Sequence, residues 1–335
     1  MPKAFARYAA IVLAFNLGVV LWGAYVRATG SGAGCGNHWP LCNGAVVPPA
    51  PALVTVIEFT HRATSGMDLV MVAVLVVWAF RCFPRLHPAR LGAALSGVFL
   101  VTEALIGAAL VKLEHVAHNA SAGRAYSLSA HLINTLTLLA CLTLTVWWGR
   151  GGARLRLRGW AVGPAVGGAG LLVATSLMGV ITALGDTLFP APSLGAGFAQ
   201  DFDPAASIFI RLRLFHPLFA LVTGVWLVLY AAATATRFPQ TKGPVRSLGA
   251  LVGTQITAGA LNLLLLAPVW LQMVHLLLAD LLWIAFVLLS AYNLQDSVVT
   301  TSHARDAACS GGHPAALEIT QTGPPRGPTP KPTEN

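Results

Sequence analysis

Charge is scarce in this chain. Of 335 residues only 10% are Asp, Glu, Lys or Arg and 56% are hydrophobic, against roughly 25% charged in a typical water-soluble domain. With a mean hydropathy of +0.69, the chain has too few charges to cover a globule in water, which excludes the soluble classes. Acidic residues are scarcer than basic ones, 12 against 21, for a net charge of +9. Such an excess could serve nucleic acid, but no single basic patch exists. Lys3 and Arg7, then Arg81, Arg85 and Arg90, then Arg150, Arg154, Arg156 and Arg158, then Arg237, Lys242 and Arg246 fall on alternate connections, the distribution that orients membrane spans with their positive ends in the cytoplasm. A clear A-x-A cleavage site is missing after the first apolar run, which exceeds a signal h-region and ends in Arg27 and a Gly-rich loop, so that span is expected to be retained. An Arg- and Ser-rich amphipathic leader is missing too, which favours a bacterial plasma membrane over an imported organelle.

Long apolar runs are what the chain has in quantity. Runs of about 20 residues mark spans, and eight occur, near 8–27, 56–81, 90–112, 125–148, 160–183, 207–235, 247–267 and 270–294. The expected fold is an all-α polytopic membrane protein with both termini cytoplasmic and outer loops near 28–54, 113–124 and 184–206. Beyond residue 295 the composition turns to Thr, Pro, Gly and Ser, so 296–335 reads as a disordered cytoplasmic tail.

The chain also repeats itself. Leu21-Trp22-Gly23-Ala24 matches Leu177-Met178-Gly179-Val180, and Glu58-Phe59-Thr60-His61 matches Arg213-Leu214-Phe215-His216. Thr102-Glu103 with Gly107 matches Thr254-Gln255 with Gly259, and Ala130-His131-Leu132 matches Val274-His275-Leu276. The eight helices therefore divide into two similar four-helix bundles, 1–150 and 151–295, related by an axis along the membrane normal. Of ten histidines, four obey the repeat: His61 and His131 in the first half, His216 and His275 in the second, each near the outer end of its span. Two imidazoles on facing helices can hold one iron between them. Zinc, which wants about four tetrahedral ligands, is poorly served by pairs. The bland reading of any single one is a satisfied interfacial histidine, but four in register resist it. His216 precedes Pro217, which cannot donate to the preceding turn and is expected to kink or loosen the helix. His38, His115 and His118 fall in outer loops, the last two as candidate outer-face accessories, while His87, His303 and His313 read as solvated.

Glu58, His61 and Arg62 fall at i, i+3 and i+4 at the mouth of the second span, which puts an acid, a base and a cation on one helix face. Ionised groups are costly inside a bilayer, so such a cluster is a functional-site candidate, with a plain Glu58–Arg62 helix pair as the structural alternative. The outer loop holds Cys35 and Cys42 with six residues between them. On the oxidising side a disulfide is permitted, as a staple or as a redox-active pair. Cys82 and Cys141, near inner helix ends, and Cys309 in the tail read as reduced thiols.

Three stretches together resemble the haem A synthase family: the run from Gly23 through Arg27 to Gly32, the Cys35 to Cys42 loop with Trp39-Pro40-Leu41, and Glu58-Phe59-Thr60-His61-Arg62. The resemblance covers about the first 295 residues. It departs from the family where Gly36-Asn37-His38 replaces the usual Pro-Asp of the loop, and where the fifth span ends in Gly185-Asp186-Thr187-Leu188-Phe189-Pro190. The resemblance implies an oxidoreductase that takes the C8 methyl of haem O to a formyl group, through alcohol and geminal diol stages, in cytochrome oxidase assembly. It implies haem O as substrate bound by His61 and His131, and haem b as cofactor on His216 and His275, relaying electrons. Glu58 would be the catalytic carboxylate, with Cys35 and Cys42 as the loop thiols. Arg27, Arg62 and Arg213 are the candidate partners for propionates, and haem O synthase and a quinol or other electron donor the candidate partner molecules. Two rival classes remain open at this point. A di-haem cytochrome b would also want four such histidines but would set its haems in series across the bilayer. A transporter would want broken helices and midplane polar residues, for which Glu103 and Gln255 are the paired candidates.

Overall fold

Each apolar run closes into a helix where Pro, Ser or Gly punctuation ends it. The first half is Pro2–Ala28 (α1), Leu53–Cys82 (α2), Pro88–Lys112 (α3) and Ala122–Gly149 (α4). Val162–Leu188 (α5) opens the second half. After it come the short Leu194–Phe202 (α6) and Ile208–Leu212 (α7), then Phe215–Arg237 (α8), Lys242–Leu264 (α9) and Val269–Leu294 (α10). This computed structural model describes residues 2–295, and the tail expected to be disordered, with His303, His313 and Cys309, lies outside the described residues. Among the described residues eight helical segments are long and apolar enough to cross a membrane, α7 and α8 counting as one. The all-helical, multi-pass architecture agrees with the expectation. Side chains at the helix starts satisfy free backbone donors: His87 accepts from the Ala89 N–H with Pro88 at the first position, and Ser121 accepts from Arg124.

Within the first half α1 packs on α2 and α4, and α3 on α4. Its core is built around Phe5, Val12, Leu75, Leu138 and Leu142, all buried. In the second half α5 packs on α8, α8 on α9 and α9 on α10. The core there gathers Leu227, Leu248, Phe286 and Leu289, and it also takes in Leu136 and Leu139 of α4. Helix α4 thus serves both cores. Trp283 of α10 pins the seam, its indole N–H donating to the Leu136 carbonyl at 2.7 Å. Outward-facing aliphatics such as Val70, Val225 and Leu229 stay exposed, as side chains that face lipid do.

The sixth span is interrupted at Arg213–Leu214. Helix α8 restarts at Phe215, so Pro217 sits in its first turn, where the missing N–H has no intrahelical acceptor to lose. The expected loosening is seen one turn before the proline, at the outer end of the span, where Arg213 and Leu214 leave the regular hydrogen-bond ladder but keep helical dihedrals. Away from that end, α1 and α2 share a buried polar contact, Asn16 Nδ2 donating to Asp68 Oδ2 at 2.5 Å.

Candidate functional site

All four repeat histidines are half-buried and lie within the first three turns of the helices that carry them: His61 on α2, His131 on α4, His216 on α8 and His275 on α10. In the second half the two rings lie close together in a T-shaped arrangement, with centroids 6.4 Å apart and planes at 86°. His216 Nδ1 lies 3.1 Å from the Thr175 carbonyl. A carbonyl can only accept, so Nδ1 carries the proton and the Nε2 lone pair is left available. The Thr175 hydroxyl meets that of Thr223 at 2.7 Å, tying α5 to α8 beside the ring. Gln255 of α9 places its amide nitrogen 3.3 Å from His275 Nε2, while His275 Nδ1 is buried without a hydrogen-bond partner.

Glycines make room for these rings. A Cβ at Gly179 would lie 3.0 Å from His216 Cε1, one at Gly259 3.1 Å from His275 Cε1, and one at Gly23 2.8 Å from His61 Cε1. Only a residue without a side chain lets each ring lie this close to the neighbouring helix. The fourth repeat position differs, since a Cβ at Gly107 would meet nothing within 4 Å.

The first-half pair is held differently. His61 and His131 are near enough for their charges to interact, and Nδ1 of each is buried without a hydrogen bond. Glu103 of α3 brings a carboxylate oxygen to 3.4 Å from His131 Nδ1. That carboxylate also accepts from the Asn134 amide and the Thr135 hydroxyl, and Thr102 in turn donates to Asn134 at 2.6 Å. The sequence pairing of Glu103 with Gln255 therefore places both beside a histidine of α4 or α10. Among the described residues no three or more His, Cys, Asp and Glu side chains form a metal-holding group.

Glu58 and Arg62 turn toward the outer loop and not toward His61. Glu58 is 3% exposed; its Oε2 accepts the Cys35 N–H at 2.8 Å, and its Oε1 accepts from Arg62 at 2.5 and 3.1 Å. Arg62 then donates to the carbonyls of His38 and Leu41 at 2.5 and 2.7 Å. Cys35 and Cys42 are joined as a disulfide, both buried. Gly34 cannot carry a side chain, because a Cβ there would fall 2.4 Å from the Val54 carbonyl oxygen of α2. The helix pair thus clamps the loop onto the start of α2.

The other two arginines are placed very differently from each other. Arg213 is occupied by Asp186 at 2.9 Å, by Asp201 and by the Gly197 carbonyl. Arg27, at the end of α1, reaches across to the second half, donating to Ala183 O and Thr187 of α5 at 3.0 and 3.1 Å and to Gln272 of α10 at 3.2 Å. Of the loop histidines, His115 meets Ser127 at 2.8 Å, a local tie on the outer face. Sequence reasoning missed Glu103, Asn134 and Thr135 as neighbours of His131, and Arg124, which is 2% exposed. For the first three a signal existed, since His131 and Thr135 are one helical turn apart and Glu103 repeats as Gln255.

A model of the COX15-CtaA family, described as cytochrome oxidase assembly protein, matches residues 6–287. This chain belongs to the COX15-CtaA family. Relatives include a protein named protoheme IX farnesyltransferase in Thermus thermophilus, 49% identical over 294 residues, which are 87% of this chain and 48% of that protein. A heme A synthase of Bacillus mycoides is 44% identical over 108 residues, 32% of this chain and 35% of that one, and one of Bacillus cereus is 43% identical over the same length. This family member therefore spans about half the length of the Thermus relatives it matches.

Proposed function

We propose that this chain is a haem A synthase that oxidises the C8 methyl of haem O to a formyl group in its first half and holds a b-type haem in its second. The observation that carries the reading is the close pair His216 and His275. A metal–imidazole bond of about 2 Å on each side, with about 1 Å more from nitrogen to ring centre, requires centroids about 6 Å apart. The measured 6.4 Å meets that requirement. The glycines that clear both rings, and the Thr175 carbonyl that fixes the His216 tautomer, support the same assignment. When bound there, haem b supplies one-electron transfer between the substrate and an external carrier.

The chain's own residues divide the remaining work. His61 and His131 bind and orient the substrate from two sides, and Glu103 steers the His131 ring. Glu58 handles protons: Oε2 has a single donor, the Cys35 N–H, so one lone pair remains to accept a proton while Arg62 holds Oε1. The clamped loop, with its disulfide, covers this end of the site and limits water. Haem O is the substrate. The Thermus relatives are named for transferring a farnesyl group to protohaem, and their likeness to this chain over about half their length supports haem O synthase as a partner. A quinol or other carrier completes the electron path, in a bacterial plasma membrane with the N-terminus cytoplasmic.

Pigment extraction and mass analysis of the purified protein test the assignment. Haem B together with haem A or its alcohol precursor is the expected result. Replacing His216 or His275 with Leu should remove the reduced b-type absorbance, while His61→Leu should keep it. Haem B alone, in two equivalents, would instead identify a di-haem electron carrier.

A further inference from the structure

We propose that Arg27 and Arg124 together form the site for the carboxylates of the first-half tetrapyrrole, with Arg124 the member that sequence reasoning did not single out. This rests on the reading of the first half as the haem O site. Arg62 and Arg213 are already engaged with carboxylates. Arg27 and Arg124 have no ion pair among the described residues. Arg124 is 2% exposed, donates through Nη1 to the Ala117 and Asn119 carbonyls, and keeps a buried Nε without a partner. It stands near enough to Arg27 for the two charges to repel, and the acid nearest Arg27, Asp186, is bound by Arg213. Two neighbouring guanidinium groups, Arg124 buried and Arg27 half-buried, repel each other unless an anion joins them.

Placement says which anion. Arg27 lies one helical turn, about 6 Å, outward of Gly23, which touches the His61 ring, and Arg124 lies seven residues, about 10 Å, outward of His131. Both cations are therefore carried by first-half helices on the outer side of the first-half imidazoles, where the propionate edge of a macrocycle held between His61 and His131 would emerge. A lipid phosphate is the other source of such an anion, but Arg124 is closed off from the surface and Arg27 points into the seam between the halves. The acceptors that aim Arg27 all belong to α5 and α10. They hold its guanidinium at the boundary of the two sites through both Nη1 hydrogens and one on Nη2, which leaves Nε and one Nη2 hydrogen for an anion.

The test uses the full chain purified with its second-half pigment, titrated by absorbance with protohaem and with protohaem dimethyl ester. The free acid should bind about ten- to a hundredfold more tightly than the ester, as expected for charge-assisted hydrogen bonds. Arg27→Gln and Arg124→Gln should each bring that ratio toward one with ester affinity unchanged, and Arg27→Lys should restore part of it. Equal binding of acid and ester by the unaltered protein, or variants that weaken both alike as a structural loop tie would, overturns the proposal. So does a ratio that disappears when phosphatidylglycerol is supplied in nanodiscs, which would assign the cations to a headgroup. Glutarate reads the same cations without a porphyrin. If it raises the melting temperature of the unaltered protein and not of the variants while protohaem fails to bind, the anion site stands and the haem O reading falls.

Discussion

Adding one methyl group at Gly179, Gly259 or Gly107 separates ring positioning from helix stability. Alanine improves an exposed helix interior by about 0.8–1.0 kcal/mol over glycine, and at Gly107, where a Cβ meets nothing within 4 Å, that gain is all that is expected. At Gly259 the new carbon would lie 3.1 Å from His275 Cε1, and at Gly179 3.0 Å from His216 Cε1. Carbon atoms are comfortable at about 3.5–4.0 Å, so each ring must retreat by roughly half an ångström. Metal–ligand distances tolerate only about 0.2 Å. Overpacking costs about 1–3 kcal/mol, which exceeds the propensity gain, and in the proposed haem site it falls on the bond to iron. Gly179→Ala and Gly259→Ala should therefore purify with less than half the b-type haem per chain and a shifted reduced spectrum. Gly107→Ala should keep full pigment and an unchanged or slightly higher melting temperature in detergent. Full pigment in the first two variants, or a loss in Gly107→Ala as large as theirs, would refute the reasoning.

Other predictions follow from the outer face. Mass mapping without reduction should find Cys35 linked to Cys42, and because both are buried, alkylation after mild reductant should stay slow until denaturant opens the loop; rapid labelling in native membranes would contradict this. Glu58→Gln, which keeps the shape and removes the charge, should leave the b-type spectrum intact, cost about 1.5–3 kcal/mol for weakened charged hydrogen bonds, and accumulate haem O or a partly oxidised product; loss of the b-type signal would reverse the assignment of the halves. Arg213→Gln strips two carboxylates of their cation at a partly exposed site, so about 1.5–3 kcal/mol is at stake, and limited proteolysis should find new cleavage between residues 190 and 207 before substrate binding changes. Unaltered protease resistance would show that the Asp186–Arg213–Asp201 group is not what holds that segment.

The eight spans and the four histidines were legible because both leave a periodic trace: apolar length for the spans, and a repeat offset for the imidazoles. The same repeat aligns Glu58 with Arg213 in the sequence. Of their partners, only Arg62, weighed as the plain helix pair of Glu58, was legible. Glu58 and Arg62 were read on one face with His61, yet residues at i and i+4 can pair with each other and turn the intervening turn's chemistry elsewhere, and here the Cys35 N–H and the His38 and Leu41 carbonyls draw them to the loop. Backbone acceptors have no letter in the sequence. Arg124 was invisible for the same reason, since its burial is made by the Ala117 and Asn119 carbonyls. Asp186 was noted only as a departure from a family motif, and its partnership with Arg213 spans 27 residues that include two short helices.

Taken position by position, the two halves have diverged in one direction. His216 has a carbonyl on Nδ1 and glycine beneath it, and His275 has glycine and the Gln255 amide. In the first half His61 has glycine but no hydrogen bond on Nδ1, while His131 has open space at Gly107 and a carboxylate where the second half has an amide. A ring whose far nitrogen is tied is a better-oriented and more basic ligand than one left free, which sets His216 apart; the Nδ1 of His275 is as unpartnered as those of His61 and His131, and its Gln255 contact is made on Nε2. Rings with fewer restraints can open and close around a group that must enter and leave. The carboxylates follow the same logic: Glu58 and Glu103 stand where the second half has Arg213 and Gln255. In the proposed first-half site the Glu103 carboxylate beside His131 would disfavour permanent docking of an anionic macrocycle, unless the cations proposed farther out, Arg27 and Arg124, receive its carboxylates, whereas Glu58 is already paired with Arg62. Under the proposed reading, a few substitutions around the imidazoles would suit the second-half cradle to a resident cofactor and the first-half cradle to turnover.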